Sequence, residues 1–281
     1  MIVFLNGQFL PEEHAVVSVF DRSFLYGDGL FETMRIFNGK PFRWRQHLER
    51  LQGGAKFLNM ILPFPSDVLR AFAEELISTN QMPNSLLRLT LSRGIGQRGY
   101  SPKGADHPCL VMSLHPAPAA ASKDLPRWRL ITSSQRLPAN EPLAQFKTCN
   151  KLPQILARTE ADAAGADEAL LLNTDGHVVE ASSSNLFWIE GDAICTPPLA
   201  SGILAGVTRA VIFELIQNRG DAVRERNVAP GELRRSQGIF VSLSSAGVAE
   251  GLSLDGHPLA QSPLVKVLRD AYWDLVRAES C

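Results

Sequence analysis

Apolar residues recur along the chain with two periods, one typical of strands and the other typical of helices. Residues 30–37, 85–92 and 109–115 are short segments that alternate or are almost continuously apolar, which predicts strands. Residues 45–58 and 207–218 repeat apolar positions every three or four residues, which predicts helices with one buried face. The chain therefore mixes both kinds of element.

Polar residues mark where these elements begin and end. Asn-Gly pairs at 6–7 and 38–39 predict two-residue hairpin turns, and Thr174-Asp175-Gly176 predicts another tight turn. A helix follows Ser66, whose hydroxyl we expect to cap its first turn. The other predicted elements are strands at 128–134, 167–173, 177–181, 185–189, 193–196 and 238–243, a hairpin at 255–256, and helices at 151–164 and 262–278.

The length of the chain and one small-residue stretch predict two domains. A chain of 281 residues is too long for a single small core. Residues 115–122 are rich in proline and alanine, as linkers are. We therefore expect a small α/β domain at 1–116, a linker at 117–126, and a larger domain at 127–281.

Composition excludes several classes of protein. Hydrophobic residues make up 45% of the chain and charged residues 20%, and the net charge of −1 does not favour nucleic acid or an anionic membrane as partner. Apolar runs fall short of the roughly 20 residues of a membrane span, and residues 1–7 lack the basic start of a secretory signal. The four cysteines are widely spread, which predicts no metal site and a cytoplasmic location.

Three features together predict pyridoxal phosphate (PLP) chemistry. Lys147 can hold the cofactor aldehyde as a Schiff base, and Glu180, at the end of a predicted strand, can face the pyridinium nitrogen. Gly206-Val207-Thr208 opens a helix, where N–H groups and the dipole favour a phosphate. Arg50 and Ser244 are further candidates for the phosphate, since guanidinium and hydroxyl groups both donate to it.

Each of these residues also has an ordinary structural interpretation. Lys147 alone fits a solvated lysine before a helix, and Lys151 competes for its role. Glu180 fits a strand-end carboxylate in water, and Arg50 fits a surface ion pair. The Gly-Val-Thr segment fits a plain helix start. Only their order and spacing favour a single site.

The order of these motifs resembles the class IV aminotransferases, which are fold-type IV PLP enzymes. Their signature corresponds here to Glu180-x-Ser182-x-x-Asn185-Leu186-Phe187, then Thr196, then Leu204-x-Gly206-Val207-x-Arg209. Further matches are Tyr26-Gly27-Asp28-Gly29-Leu30-Phe31-Glu32, His47-x-x-Arg50-Leu51 and Lys147-x-x-Asn150. The resemblance therefore covers nearly the whole chain.

The resemblance implies a fold and a set of site residues. The fold is that of D-amino acid aminotransferases, with a small α+β domain and a larger mixed-sheet pseudo-barrel. It implies a homodimer whose active site lies between the domains, near the subunit interface, and which acts on a small molecule. The implied cofactor residues are Lys147, Glu180, Arg50, Ser184, Leu204, Val207, Thr208 and Ser244, and the implied substrate residues are Tyr26, Phe31, Arg98, Tyr100 and Ser245.

Three activities occur in that family, and the chain most resembles aminodeoxychorismate lyase of folate biosynthesis. Residues 92–100 are similar to the lyase segment SRGxGxRGY, and Tyr100 stands where D-amino acid enzymes carry histidine. Residues 166–170 also resemble the lyase. Thr33 matches a threonine that assists the leaving group, and Arg98 is a candidate for a substrate carboxylate, although a strand residue and a solvated arginine are the ordinary alternatives.

Other interpretations stay open from the sequence. Residues 243–248 look more like the loop of the aminotransferases, which act on branched-chain or D-amino acids. In that reaction Lys147 would move a proton between the substrate α-carbon and the cofactor. A third interpretation is a protein that carries the cofactor without turnover, which could dispense with the lysine.

Overall fold

The computed structural model describes residues 1–118 and 124–280. These residues form two compact units. The first unit comprises the described residues of Met1–Pro118, Phe146–Asn150 and Val276–Cys281, and the second comprises those of Ala119–Gln145 and Lys151–Leu275. The predicted domain ranges stay a prediction, and residues 119–123 of the predicted linker lie outside the described residues.

The first unit is built on a six-stranded antiparallel sheet. Its strands are β1 (Ile2–Leu5), β2 (Gln8–Pro11), β3 (Gly29–Phe37), β4 (Lys40–Pro41), β5 (Ser85–Ser92) and β6 (Cys109–Pro116), in the order β2-β1-β6-β5-β3-β4. Its helices are α1 (Arg22–Tyr26), α2 (Trp44–Phe57) and α3 (Ser66–Thr79). The predicted hairpins are confirmed, because Asn6 and Asn38 adopt the positive φ that a tight hairpin needs. The helices predicted at 45–58 and after Ser66 are confirmed as α2 and α3.

Alternation along the strands gives this sheet two different faces. One face packs Met34, Leu89 and Met112 against α2 and α3 in a buried core. The other face carries Phe31 and, opposite each other on β3 and β5, Thr33 and Arg88. Polar and aromatic groups therefore share the face that the two helices leave uncovered.

The predicted cap of α3 is wrong. Pro65 occupies the N-cap position, and no side chain caps the helix. The Ser66 hydroxyl lies within the helix and instead accepts a hydrogen bond from Trp44 Nε1 at 3.3 Å.

The second unit is a closed barrel with attached strands. Its strands are β7 (Arg127–Leu137), β8 (Glu168–Asn173), β9 (Val178–Ala181), β10 (Asn185–Glu190), β11 (Ala193–Thr196), β12 (Ala222–Glu225), β13 (Ile239–Leu243), β14 (Gly247–Leu254) and β15 (His257–Pro258). Six of them run in the order β10-β13-β14-β7-β8-β9, and pairing of β9 with β10 closes the ring. This is the pseudo-barrel that the family resemblance implies.

Helices follow or separate these strands. They are α4 (Leu152–Ala163), α5 (Val207–Asn218), α6 (Pro230–Leu233) and α7 (Pro263–Glu279). Of these, α4 packs against β7 and β8, and α5 packs against β12 and β13. Strand β8 is buried on both sides, since Leu170 joins a core with Leu186 and Val241, while Leu171 packs against Ala157 of α4. Among the described residues, no helix combines the length and apolar character that crossing a membrane requires.

Candidate active site

The predicted site residues fall into two groups, one in each unit. The first unit holds Tyr26, Phe31, Thr33, Arg50, Arg98, Tyr100 and Lys147. The second holds Glu180, Ser184, Leu204, Val207, Thr208, Ser244 and Ser245.

Lys147 lies on a short segment that is bonded to β3. Its carbonyl accepts a hydrogen bond from Phe31 N at 2.8 Å, and Cys149 N donates to Gly29 O at 2.9 Å. Lys147 Nζ lies 4.7 Å from the centroid of the Phe31 ring. The lysine is therefore half-buried beside an aromatic ring, at the distance of a cation–π contact.

Arg88 shares that aromatic surface and was not predicted. Its guanidinium carbon lies 3.9 Å from the centroid of the Phe31 ring, and the residue pairs with Thr33 across the sheet. Burial lowers the pKa of Arg88 from its usual value, but the group stays cationic near neutral pH. A half-buried cation on this face can bind a carboxylate. The signal available in the sequence was the alternation along β5, which puts Arg88 on the other face of the sheet from Leu87 and Leu89.

Arg50 is held by a buried carboxylate. Its Nε and Nη2 donate to the two oxygens of Glu32 at 2.8 and 2.6 Å, and His47 Nδ1 lies 2.7 Å from Glu32 Oε2. Burial acts to raise the pKa of Glu32, but Arg50 and His47 outweigh it and hold the pKa at about 2. The fork-shaped pair fixes the guanidinium in one orientation.

Arg98 and Tyr100 lie on the long loop after β5. Both side chains are exposed, Tyr100 to 87%. The loop is nevertheless attached to α1, since Gly99 N donates to the hydroxyl of Tyr26 at 3.1 Å and the two tyrosine rings meet edge to face. The structure therefore brings Tyr26 and Tyr100 together.

Glu180 and Asn185 form a cross-strand pair that holds the backbone of one residue, Leu204. They lie opposite each other where β9 and β10 close the barrel. Glu180 Oε2 accepts a hydrogen bond from Leu204 N at 2.9 Å, and Asn185 Nδ2 donates to Leu204 O at 3.0 Å. The predicted pyridine carboxylate is thus oriented by the segment that leads into α5.

The N-terminus of α5 brings together hydrogen-bond donors that can bind an anion. Gly206 is its N-cap and provides no capping side chain, and the hydroxyls of Thr208 and Ser244 are 3.5 Å apart. Val207 and Thr208 are both buried in the first turn. Ser245 follows Ser244, half-buried, in the turn between β13 and β14.

Two buried hydroxyls near these residues in sequence lack a partner. Ser184 Oγ, between Glu180 and Asn185, accepts and donates no hydrogen bond, and the same holds for Ser242 Oγ. A buried polar atom normally finds a partner. A polar ligand would supply the partners that Ser184 Oγ and Ser242 Oγ lack.

The residues present fit PLP. The beginning of α5, with Thr208 and Ser244, suits a phosphate dianion. Glu180 suits a protonated pyridine nitrogen, and Lys147 suits an aldehyde. Within the part of the chain that the structure describes, no group of three or more His, Cys, Asp or Glu side chains could hold a metal ion.

Comparison with known proteins agrees with this chemistry. The family model described as Amino-transferase class IV matches residues 29–254. A relative from Methanocaldococcus jannaschii named "Putative branched-chain-amino-acid aminotransferase" is 31% identical over 278 residues, which cover 98% of this chain and 96% of the relative. Aminodeoxychorismate lyase from Vibrio harveyi is 32% identical over 246 residues, covering 87% and 88% of the two chains.

A solved structure shares the fold of nearly the whole chain. The crystal structure of Escherichia coli branched-chain amino acid aminotransferase superposes with a TM-score of 0.91 at 26% identity. The match covers 98% of this chain and 94% of that one.

Proposed function

The chain belongs to the class IV aminotransferases, and from this we propose that it is a PLP enzyme that converts 4-amino-4-deoxychorismate to 4-aminobenzoate and pyruvate. The observation that carries the proposal is the pair of arginines that the first unit offers to a substrate with two carboxylates. Arg88 is half-buried over Phe31, and Arg98 is exposed on the loop that resembles the lyase segment. Two guanidinium groups match two carboxylates.

Five residues of the two groups have proposed roles toward the cofactor. Lys147 would hold the cofactor aldehyde, and its amine would take a proton from the substrate ring as general base. Glu180, oriented by Leu204 N, keeps a proton on the pyridine nitrogen. Arg50 and the Thr208 and Ser244 hydroxyls bind the phosphate. When bound, PLP supplies an electron sink for the charge left by the lost proton.

Thr33 is the proposed partner of the leaving group. The reaction removes a ring proton, breaks the C–O bond to the enolpyruvyl group and leaves an aromatic product with pyruvate. The enolpyruvyl oxygen that separates from the ring carbon needs a hydrogen-bond donor nearby. Support for this role is that Thr33 lies on the same sheet face as Phe31 and opposite Arg88.

Transamination is the second candidate, and specific observations favour it. The relative that covers 98% of this chain carries the name of a branched-chain aminotransferase. The turn of residues 243–248 also resembles the aminotransferase loop. Arg88 would then bind the carboxylate of an amino acid or 2-oxo acid.

One assay separates the two reactions. The PLP-loaded protein is incubated with aminodeoxychorismate and, separately, with L-leucine or D-alanine plus 2-oxoglutarate. Release of 4-aminobenzoate and pyruvate in equal amounts supports the lyase. Glutamate formation without 4-aminobenzoate overturns it in favour of transamination, and the handedness of the glutamate then identifies the class of donor.

We also propose that the enzyme works as a homodimer in the cytoplasm. Support for the dimer comes from the family resemblance and from a run of exposed apolar side chains before and within α1. These are Val16, Val17, Val19, Phe20, Phe24 and Leu25, with exposures from 44% to 77%. Support for the cytoplasm comes from the wide spacing of the four cysteines along the chain.

A further inference from the structure

One buried guanidinium binds three consecutive carbonyls of the loop that carries Arg98 and Tyr100. Arg22 opens α1, and only 4% of its side chain is exposed. Its Nη1 donates to Gly99 O at 2.9 Å and to Ser101 O at 3.1 Å, and its Nη2 donates to Tyr100 O at 3.0 Å. Three carbonyls of the loop backbone are therefore held by one side chain, while the Arg98 and Tyr100 side chains stay exposed.

The guanidinium of Arg22 is itself held on two sides. Its Nε donates to Asp28 Oδ2 at 2.7 Å, and Arg93 binds the same carboxylate through Nε at 2.7 Å and Nη2 at 3.0 Å. On the other side it lies 5.1 Å from the centroid of the Tyr26 ring, whose hydroxyl accepts from Gly99 N. The planar fork of an arginine can make all these contacts at once, and a lysine cannot.

Gly96 leaves room for the stem of Arg22. A Cβ atom at Gly96 would lie 2.9 Å from Arg22 Cδ and 3.1 Å from Ala105 Cβ. A residue larger than glycine at position 96 would therefore displace the Arg22 side chain.

We propose that Arg22 is a positioning residue that fixes the loop backbone at 99–101, so that Arg98 and Tyr100 meet the substrate in one orientation. The restraint on the loop stands on the contacts alone, and its effect on the substrate rests on the proposed function. Arg22 touches neither cofactor nor substrate in this role. Its loss should therefore weaken substrate binding without weakening PLP binding.

Limited trypsin digestion tests the restraint without any assay of activity. Trypsin cuts after Arg98 and Lys103, both exposed on this loop, and the cut requires the backbone to open locally. Arg22→Met should speed cleavage at these two bonds by roughly tenfold or more, because cleavage follows the population of the open loop. Arg22→Lys should behave like Arg22→Met, and Arg70→Met, which removes a surface arginine paired with Glu74, should cleave like the wild type.

Kinetics test the positioning. With the substrate that the wild type turns over, Arg22→Met should raise KM by roughly tenfold, leave kcat within about twofold, and leave the PLP dissociation constant unchanged. If Arg22→Met does not fold, Gly96→Ala displaces the same stem and should give the same changes in smaller size. Unchanged loop cleavage, or an unchanged KM with a lower kcat, overturns the proposal. A wild type without turnover defeats the proposed function instead, and the digestion then decides the restraint.

Discussion

At the scale of single residues, Lys147 and Lys151 offer a matched pair. We expect Lys147→Ala to lose the visible absorbance of lysine-bound PLP. Its turnover should fall by a factor on the order of 10²–10⁴, because no other amine replaces Lys147 as general base. Lys151 precedes α4, outside the segment bonded to β3, so Lys151→Ala should keep both properties. Borohydride reduction with peptide mapping should place the cofactor on Lys147, and a label on Lys151 would reverse the assignment.

The buried Glu32 makes stability depend on pH. Its pKa in the folded protein is about 2, below its ordinary value of 4.5. The paired carboxylate therefore stabilises the fold fully above pH 4.5, by about 3 kcal/mol, and this is lost as the pH falls toward 2. Burial also lowers the pKa of His47, so protonation of the unfolded chain weakens the fold from near pH 6.5 downward.

The substitution Glu32→Gln separates the contribution of Glu32 to this pH dependence from that of His47. Urea unfolding of wild type and variant between pH 7 and pH 3 should show a smaller loss of stability in the variant below pH 4.5. The variant should be less stable at pH 7, since Arg50 and His47 lose a charged partner. Parallel curves for the two proteins below pH 4.5 would mean that Glu32 does not titrate as proposed.

Candidate site residues could be predicted from the sequence where they belong to a motif. They could not be predicted where a single polar residue belongs to a regularly alternating strand. Lys147, Glu180 and Thr208 stood in recognisable segments. Arg88 is the polar position of a strand that alternates regularly, which is also the pattern of a solvent-facing residue. Only the fold places it over the Phe31 ring.

At the scale of elements, the segment before α5 is sensitive to a single methyl group. A Cβ atom at Gly206 would lie 1.9 Å from Asn185 Oδ1, which cannot be accommodated without moving the amide that holds Leu204. We expect Gly206→Ala to destabilise the fold by about 1–3 kcal/mol. It should also weaken PLP binding to the apoprotein, measured by absorbance titration, because Leu204 N orients Glu180.

Gly231 provides the control for that substitution. No atom lies within 4 Å of a Cβ built there, and Gly231 also belongs to a short helix. Gly231→Ala should stabilise the fold by about 0.4–1 kcal/mol and leave the PLP affinity unchanged. Equal PLP affinity in the two variants would show that the segment before α5 tolerates movement of Asn185.

Elements with a strong pattern were predicted and weak ones were missed. The predicted strand at 30–37 and helix at 207–218 coincide with β3 and α5 within a residue. Strand β12 was missed because it is an edge strand with little burial, so no apolar alternation marks it. Helix α1 has only five residues, and the Asp21 side chain rather than an apolar face defines its start.

At the scale of the whole molecule, local patterns do not determine which segments pair. The Phe146–Asn150 segment belongs to the first unit because its backbone bonds to β3, although it follows the predicted linker by some twenty residues. The parallel pairing of β7 with β14, which places Arg127 beside Glu250, is likewise a long-range pairing. Periodicity predicted the strands, and only the resemblance to a family predicted their arrangement.

The exposed apolar run of residues 16–25 leads to a prediction about assembly. Burying six large apolar side chains against a second copy removes a surface that a monomer would leave in water. Light scattering should therefore give twice the 30.8 kDa mass of the chain.

The double variant Phe20→Glu with Phe24→Glu should shift the mass to that of one chain, because charges in the interface would have to be buried. Leu252→Glu, an exposed apolar residue on β14, should stay dimeric. A wild type that is monomeric at micromolar concentration would contradict the proposed homodimer and leave the role of this surface to another partner.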